Sequence, residues 1–327
     1  MRNTTVIRIR NGLFRVSGLL IIAALWELAP RCGWINGKFF PSLTTVAGTI
    51  AQQWQEGFLW VHCLVSVWRT IIGLLLALAV GIPGGLLLGY CGNRWVETFN
   101  PLLRLASQAN PFSLMPVFML FFGIGETAKI AVIAWVCLWP LLFNTVTGVR
   151  NIDPQLVKAA RSLKVKGIDY GLSVLLPHTA AYIFTGLRIG VEMAFFMLIA
   201  SEMIGATAGL GWLLHASAHL NEIPRMFAAA TTIILLGMII NGLLRKLDQR
   251  LYFWRDNETQ SAVGRIAKPP HRLQPWEIAM LMTALLGIIV YGGQLANQVN
   301  QTGGIRFENS RHPHGSSAPN FGNGGGL

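Results

Sequence analysis

Long uninterrupted apolar runs, separated by polar stretches, set the pattern of this chain. The runs cover Leu19 to Leu28, about Val61 to Tyr90, Leu105 to Phe122, Ala128 to Val146, the stretch from Pro177 to near Ile204, and Met226 to Leu244. A helix crossing a bilayer needs about 20 mostly apolar residues. The pattern therefore predicts an all-α integral membrane protein with a core of six transmembrane helices. A shorter run, Ile278 to Tyr291, extended back to Trp276, predicts a seventh, C-terminal helix. Four segments follow: 1–60, an N-terminal cytoplasmic arm, first span and outer amphipathic stretch; 61–255, the core; 256–296, a linker and the extra span; and 297–327, a polar tail expected to be disordered. A basic start before a short apolar run could also mark a signal peptide. Glu27, Pro30 and Arg31 stand where a small-residue cleavage site would be, which favours an uncleaved span.

Composition agrees with this picture and excludes most soluble folds. Of 327 residues, 53% are hydrophobic and 12% charged, against about a quarter charged in ordinary soluble domains. The net charge of +12 would suggest nucleic acid in a soluble protein, but here its distribution follows topology. With the N-terminus inside, eighteen of the 26 basic residues fall in cytoplasmic segments and six in outer ones. That threefold excess sets the orientation and places 148–177 in the cytoplasm. Cys32, Cys63, Cys91 and Cys137 are widely spaced and specify neither a metal site nor a disulfide framework.

Within the cytoplasmic segment, Asp153 can cap a helix whose first turn accommodates Pro154. Leu156, Ala160 and Leu163 then share one face, with Ala159 beside them. Such a stripe fits either the protein's own loops or a partner. Lys158-Ala159-Ala160-Arg161-Ser162-Leu163-Lys164 and the later Leu176-Pro177 step make the chain resemble the inner-membrane permease subunits of bacterial binding-protein-dependent ABC importers. It is most similar to the branch that carries nitrate, sulfonates, taurine and bicarbonate. Further matches are Asn110-Pro111 to Pro116, Phe121 to Glu126, Gly148-Val149-Arg150, Gly186-Leu187-Arg188, Ser201 to Gly205 and Gly209-Leu210-Gly211, so the resemblance covers about residues 15 to 255.

The resemblance implies a homodimer in the bacterial inner membrane, served by a separate ATP-binding cassette ATPase and a periplasmic solute-binding protein. Leu156, Lys158, Ala159, Ala160, Leu163, Lys164 and Pro177 would form the ATPase-coupling segment. The sequence has no GxxxxGK[ST] phosphate loop, so ATP and Mg are expected on the partner and no cofactor on this chain. Two residues depart from the family's pattern: Lys158 replaces an acid, and Lys164 replaces the glycine that would leave the helix in a left-handed conformation. Gly167 is expected to take over that turn.

Charge and helix breakers inside spans suggest the pathway. Glu192 lies in the middle of the fifth span, with Arg188 four residues before it as a same-face partner. Pro111 and Pro116 disturb the third span, while Asn110 and Ser113 offer neutral donors suited to an anion. Arg69 and Glu202 read as interfacial or structural. His215 and His219, four apart in an outer loop, read as surface residues rather than metal ligands, and no catalytic constellation is recognisable. The expected function is movement of a small solute by alternating access. The alternatives are a transporter-like subunit with weakened coupling, favoured by Lys158 and Lys164, and an intramembrane enzyme.

Overall fold

Small residues fall where the longest apolar helices meet, and this decides how they assemble. The computed structural model describes residues 17, 18, 20–91, 93–165, 167–251 and 275–301. Within these, α1 covers 20–31, α2 Leu43–Gln55, α3 Phe58–Tyr90, α4 Asn93–Ser107, α5 Pro111–Phe122 and α6 Glu126–Arg150. The short helices α7, Pro154–Ser162, and α8, Gly167–Tyr170, lead through a π-helical turn at Gly171–Leu175 into α9, Leu176–Met203. After these come α10, Leu210–His219, α11, Ile223–Leu251, and α12, Pro275–Gln301.

Helix α6 lies between α3 and α9. Gly73, Gly85 and Gly89 of α3 sit on Ile133, Thr145 and Val149 of α6, where an added Cβ would come within 2.6 Å of the facing side chain. On the other flank, Gly186 of α9 lies against the Pro140 carbonyl, and Gly148 of α6 against Thr179 and Tyr182. Lipid is as apolar as a helix surface, so close van der Waals contact at small residues is what joins such helices. Ala77, Ile133, Cys137, Leu141, Ala194 and Leu198 fill the seam. A second cluster, Leu59, Cys63, Leu210, Leu213, Ala229 and Ile233, fastens α10 and α11 to the start of α3.

Among the described residues, Phe58–Tyr90, Glu126–Arg150, Gly171–Met203 and Ile223–Asp248 are long and apolar enough to cross a membrane. The third apolar run departs from expectation. It is broken, with Trp95–Ser107 and Pro111–Phe122 meeting at 88°. The cause is local: Asn110 has ψ 117, the extended conformation favoured before proline, and its side chain accepts the Phe112 N–H at 3.0 Å. Pro111 therefore starts a helix and does not kink one, while Pro116 stays inside α5. The 12 residues of α5 reach about 18 Å at 1.5 Å each, short of the roughly 30 Å hydrocarbon core.

The stretches after the first and fifth apolar runs also hold helices, α2 and α10, that the apolar pattern does not show. Helix α12 runs past its apolar run to Gln301, so the boundary drawn at 297 falls inside it. The N-terminal arm before residue 17, all of 252–274 and the tail beyond 301 lie outside the described residues.

Candidate functional site

Helix α7 follows the end of α6 and precedes α8 and α9 in the chain. Asp153 accepts the Gln155 N–H at 2.8 Å, and Pro154 occupies the first turn. Ala160 is buried, but Leu156 and Leu163 are 46% and 77% exposed, so only the middle of the predicted stripe is covered by the chain itself. Lys158 and Ala159 are also exposed. The helix ends in a full Schellman motif: the Val165 N–H donates to the Ala160 carbonyl and the Lys164 N–H to the Arg161 carbonyl, with Lys164 at φ 58. Lys164 thus makes the left-handed turn that the sequence suggested Gly167 would take over, and Gly167 makes a further one at φ 62. Pro177 lies in the first turn of α9.

A cleft of about 730 Å³ opens between α5, α6 and α9. Pro111 and Glu192 line it, together with Ser107, Trp135, Trp139 and Asn144. Asn110, Ser113 and Pro116 are exposed and do not belong to that lining; the Asn110 side chain is committed to its cap. Glu192 is half-exposed, not buried in a helix interface. Its carboxylate lies 3.8 Å from the Arg188 guanidinium and accepts from Asn241 Nδ2 at 3.0 Å, because this face of α9 turns toward the cleft and α11.

At the opposite end of the core the structure assembles a charged cluster that sequence reasoning missed. Arg69 is 1% exposed and Glu202 0%. The Arg69 guanidinium donates through Nη1 to Glu202 at 2.7 Å and to the Ala208 carbonyl at 2.7 Å, and through Nη2 to Glu126 at 2.7 Å. Lys129, near the start of the fourth apolar run, is buried in α6 and reaches Glu126 at 3.2 Å. Two cations and two carboxylates balance, and such charge-assisted bonds offset part of the desolvation cost.

Backbone completes the cluster. Ser66 Oγ donates to Glu202 and accepts the Leu210 N–H at 2.9 Å, while the Gly211 N–H donates to Glu202 at 2.8 Å. Gly209, at φ 122, must be glycine on two counts, because a Cβ there would also land on the Glu202 carboxylate. The network joins α3, α6, α9 and the start of α10. Its signal in the sequence was a balanced set of charges inside or beside spans, but the Arg69–Glu202 contact bridges 133 positions and nothing local announces it.

His215 and His219 are neighbours on α10, their Nε2 atoms 3.0 Å apart. Among the described residues no three His, Cys, Asp or Glu side chains group as metal ligands.

Apolar helices long enough to cross a membrane and joined at small residues, with a capped amphipathic helix at one end and a half-open cleft between helices, define a polytopic membrane protein. Residues 81–252 match the binding-protein-dependent transport system inner membrane component family. The chain belongs to this family and is a multi-pass inner-membrane permease. An Escherichia coli (strain K12) protein provisionally named as the aliphatic sulfonates transport permease SsuC is 33% identical over 244 residues, 73% of this chain and 89% of its own. The taurine transport system permease protein TauC of the same organism is 28% identical over 253 residues, 75% and 90% of the two chains. The nitrate import permease protein NrtB of Synechococcus elongatus is 30% identical over 215 residues, 65% and 71%.

Proposed function

We propose that this chain is the membrane subunit of an ATP-binding cassette importer for a small oxyanion or sulfonate-like solute. It works as a homodimer in lipid with its N-terminus in the cytoplasm. A separate ATPase subunit, carrying ATP and Mg, docks on α7, and a periplasmic solute-binding protein delivers the solute at the opposite end. Alternating access follows when ATP-driven closure of the ATPase pair pushes α7 and, through α6 and α9, reorients the core. The observation that carries the reading is α7 itself: a capped helix with Leu156 and Leu163 unburied, seated within the span that matches the permease family. The solute class rests on the names of the sulfonate, taurine and nitrate relatives.

The left-handed Lys164 keeps the turn that a glycine would make, which removes one of the two arguments for weakened coupling. Lys158, exposed on α7, instead asks for an acidic ATPase surface. Leu163→Asp should abolish co-purification of the partner ATPase subunit and ATP-driven uptake in proteoliposomes. An unchanged complex with unchanged uptake would overturn the docking assignment.

A further inference from the structure

Helix α12 lies beyond the family match, which ends at residue 252, yet it is tied to the charged cluster. Its outward face carries the exposed apolar side chains Met282, Leu286 and Val290, as a lipid-facing surface does. On its inward face, Gly292 lets the backbone close on the Trp68 side chain of α3, where an added Cβ would stand 2.8 Å away. One turn on, Ala296 and Val299 form a buried cluster with Val65 of α3 and Ala208 of the turn between α9 and α10. Ala208 is the residue whose carbonyl accepts from Arg69. The amides of Leu210 and Gly211, immediately after it, donate to Ser66 and Glu202. The extra helix therefore grips two of the parts that the network joins, α3 and the turn between α9 and α10.

We propose that α12 is a positioning element for gating. It presses the Ala208 turn onto Arg69, so that opening this end of the core must break apolar contacts as well as ion pairs. The proposal rests on the transport reading above: in an alternating-access cycle this end has to open, and a strut across Val65 and Ala208 favours the closed arrangement. Releasing the strut should let the core open without the solute-binding protein.

The test reconstitutes the full chain with its ATPase in proteoliposomes and compares wild type with Gly292→Leu and Ala296→Trp, which push α12 outward without touching the charged residues. ATP hydrolysis in the absence of binding protein should rise at least about threefold, and solute taken up per ATP should fall, with Ala296→Gly behaving as wild type. Hydrolysis and uptake falling together in proportion to assembled complex would mean a merely structural helix and would overturn the proposal, as would unchanged coupling. Should the bulky variants not assemble, Ala208→Cys with Ala296→Cys, in a background lacking Cys32 and Cys91, is joined by a short bifunctional thiol reagent. Cross-linking should arrest uptake and leave complex formation intact; undiminished uptake by cross-linked protein sinks the strut. A wild-type complex with no ATP-driven uptake would instead remove the transport reading, and the proposal with it.

Discussion

Arg69 holds two carboxylates and a backbone carbonyl while 1% exposed. A charge at the centre of a spanning helix costs about 2.5–3.5 kcal/mol on insertion scales, and a buried ion pair contributes little net stability over an apolar replacement. Breaking such a pair from one side is different, because the remaining charge is left unpaired. Arg69→Leu should therefore destabilise the protein by about 3–5 kcal/mol, read as a lower melting temperature in detergent. Arg69→Leu with Glu202→Leu should cost clearly less than the two single changes added together. Additive losses would show that the two residues are not coupled. Neither residue looked exceptional in the sequence, since a charge near the end of an apolar run reads as interfacial until its partner is known. Glu192 was more legible: its place in mid-span with Arg188 four residues before it suggested a same-face pair beside a pathway, and it lies 3.8 Å from Arg188 and lines the cleft, while its contact with Asn241 depends on how α9 meets α11.

At the scale of the element, α7 was legible almost whole. Asp153, Pro154 and the apolar spacing are local signals, and the helix begins where they put it. Its end was less so, because whether Lys164 or Gly167 would turn left-handed depends on the 6→1 bond from Val165 to Ala160, which no propensity encodes. A non-glycine residue in that conformation costs about 1–2 kcal/mol. Lys164→Gly is therefore expected to slow hydrogen exchange at the Val165 amide by about fivefold or more, with binding of the ATPase unchanged or stronger; faster exchange would count against the strain. The broken third run carries the same lesson: Asn110-Pro111 is a strong start signal that hydropathy averaged away.

Over the whole molecule, the cleft between α5, α6 and α9 redistributes the pathway candidates. Asn144 and Ser107 line it, whereas Asn110 and Ser113, pathway candidates from the sequence, lie outside its lining. Asn144→Leu should lower uptake several-fold with normal assembly and ATPase binding, whereas Ser113→Leu should leave uptake near wild type, measured with labelled solute in proteoliposomes. The reverse ranking would return the pathway to α5. The order of the apolar runs, the alternation of basic residues between them and the capping signals of α7 are properties of nearby positions, so sequence alone determined the membrane class, most spans and the site of α7. Pairing of Arg69 with Glu126 and Glu202, the seat of α12 on Trp68 and Ala208, and the lining of the cleft join residues far apart in the chain. Those features depend on which small-residue faces meet when helices pack, and only the tertiary structure decides that.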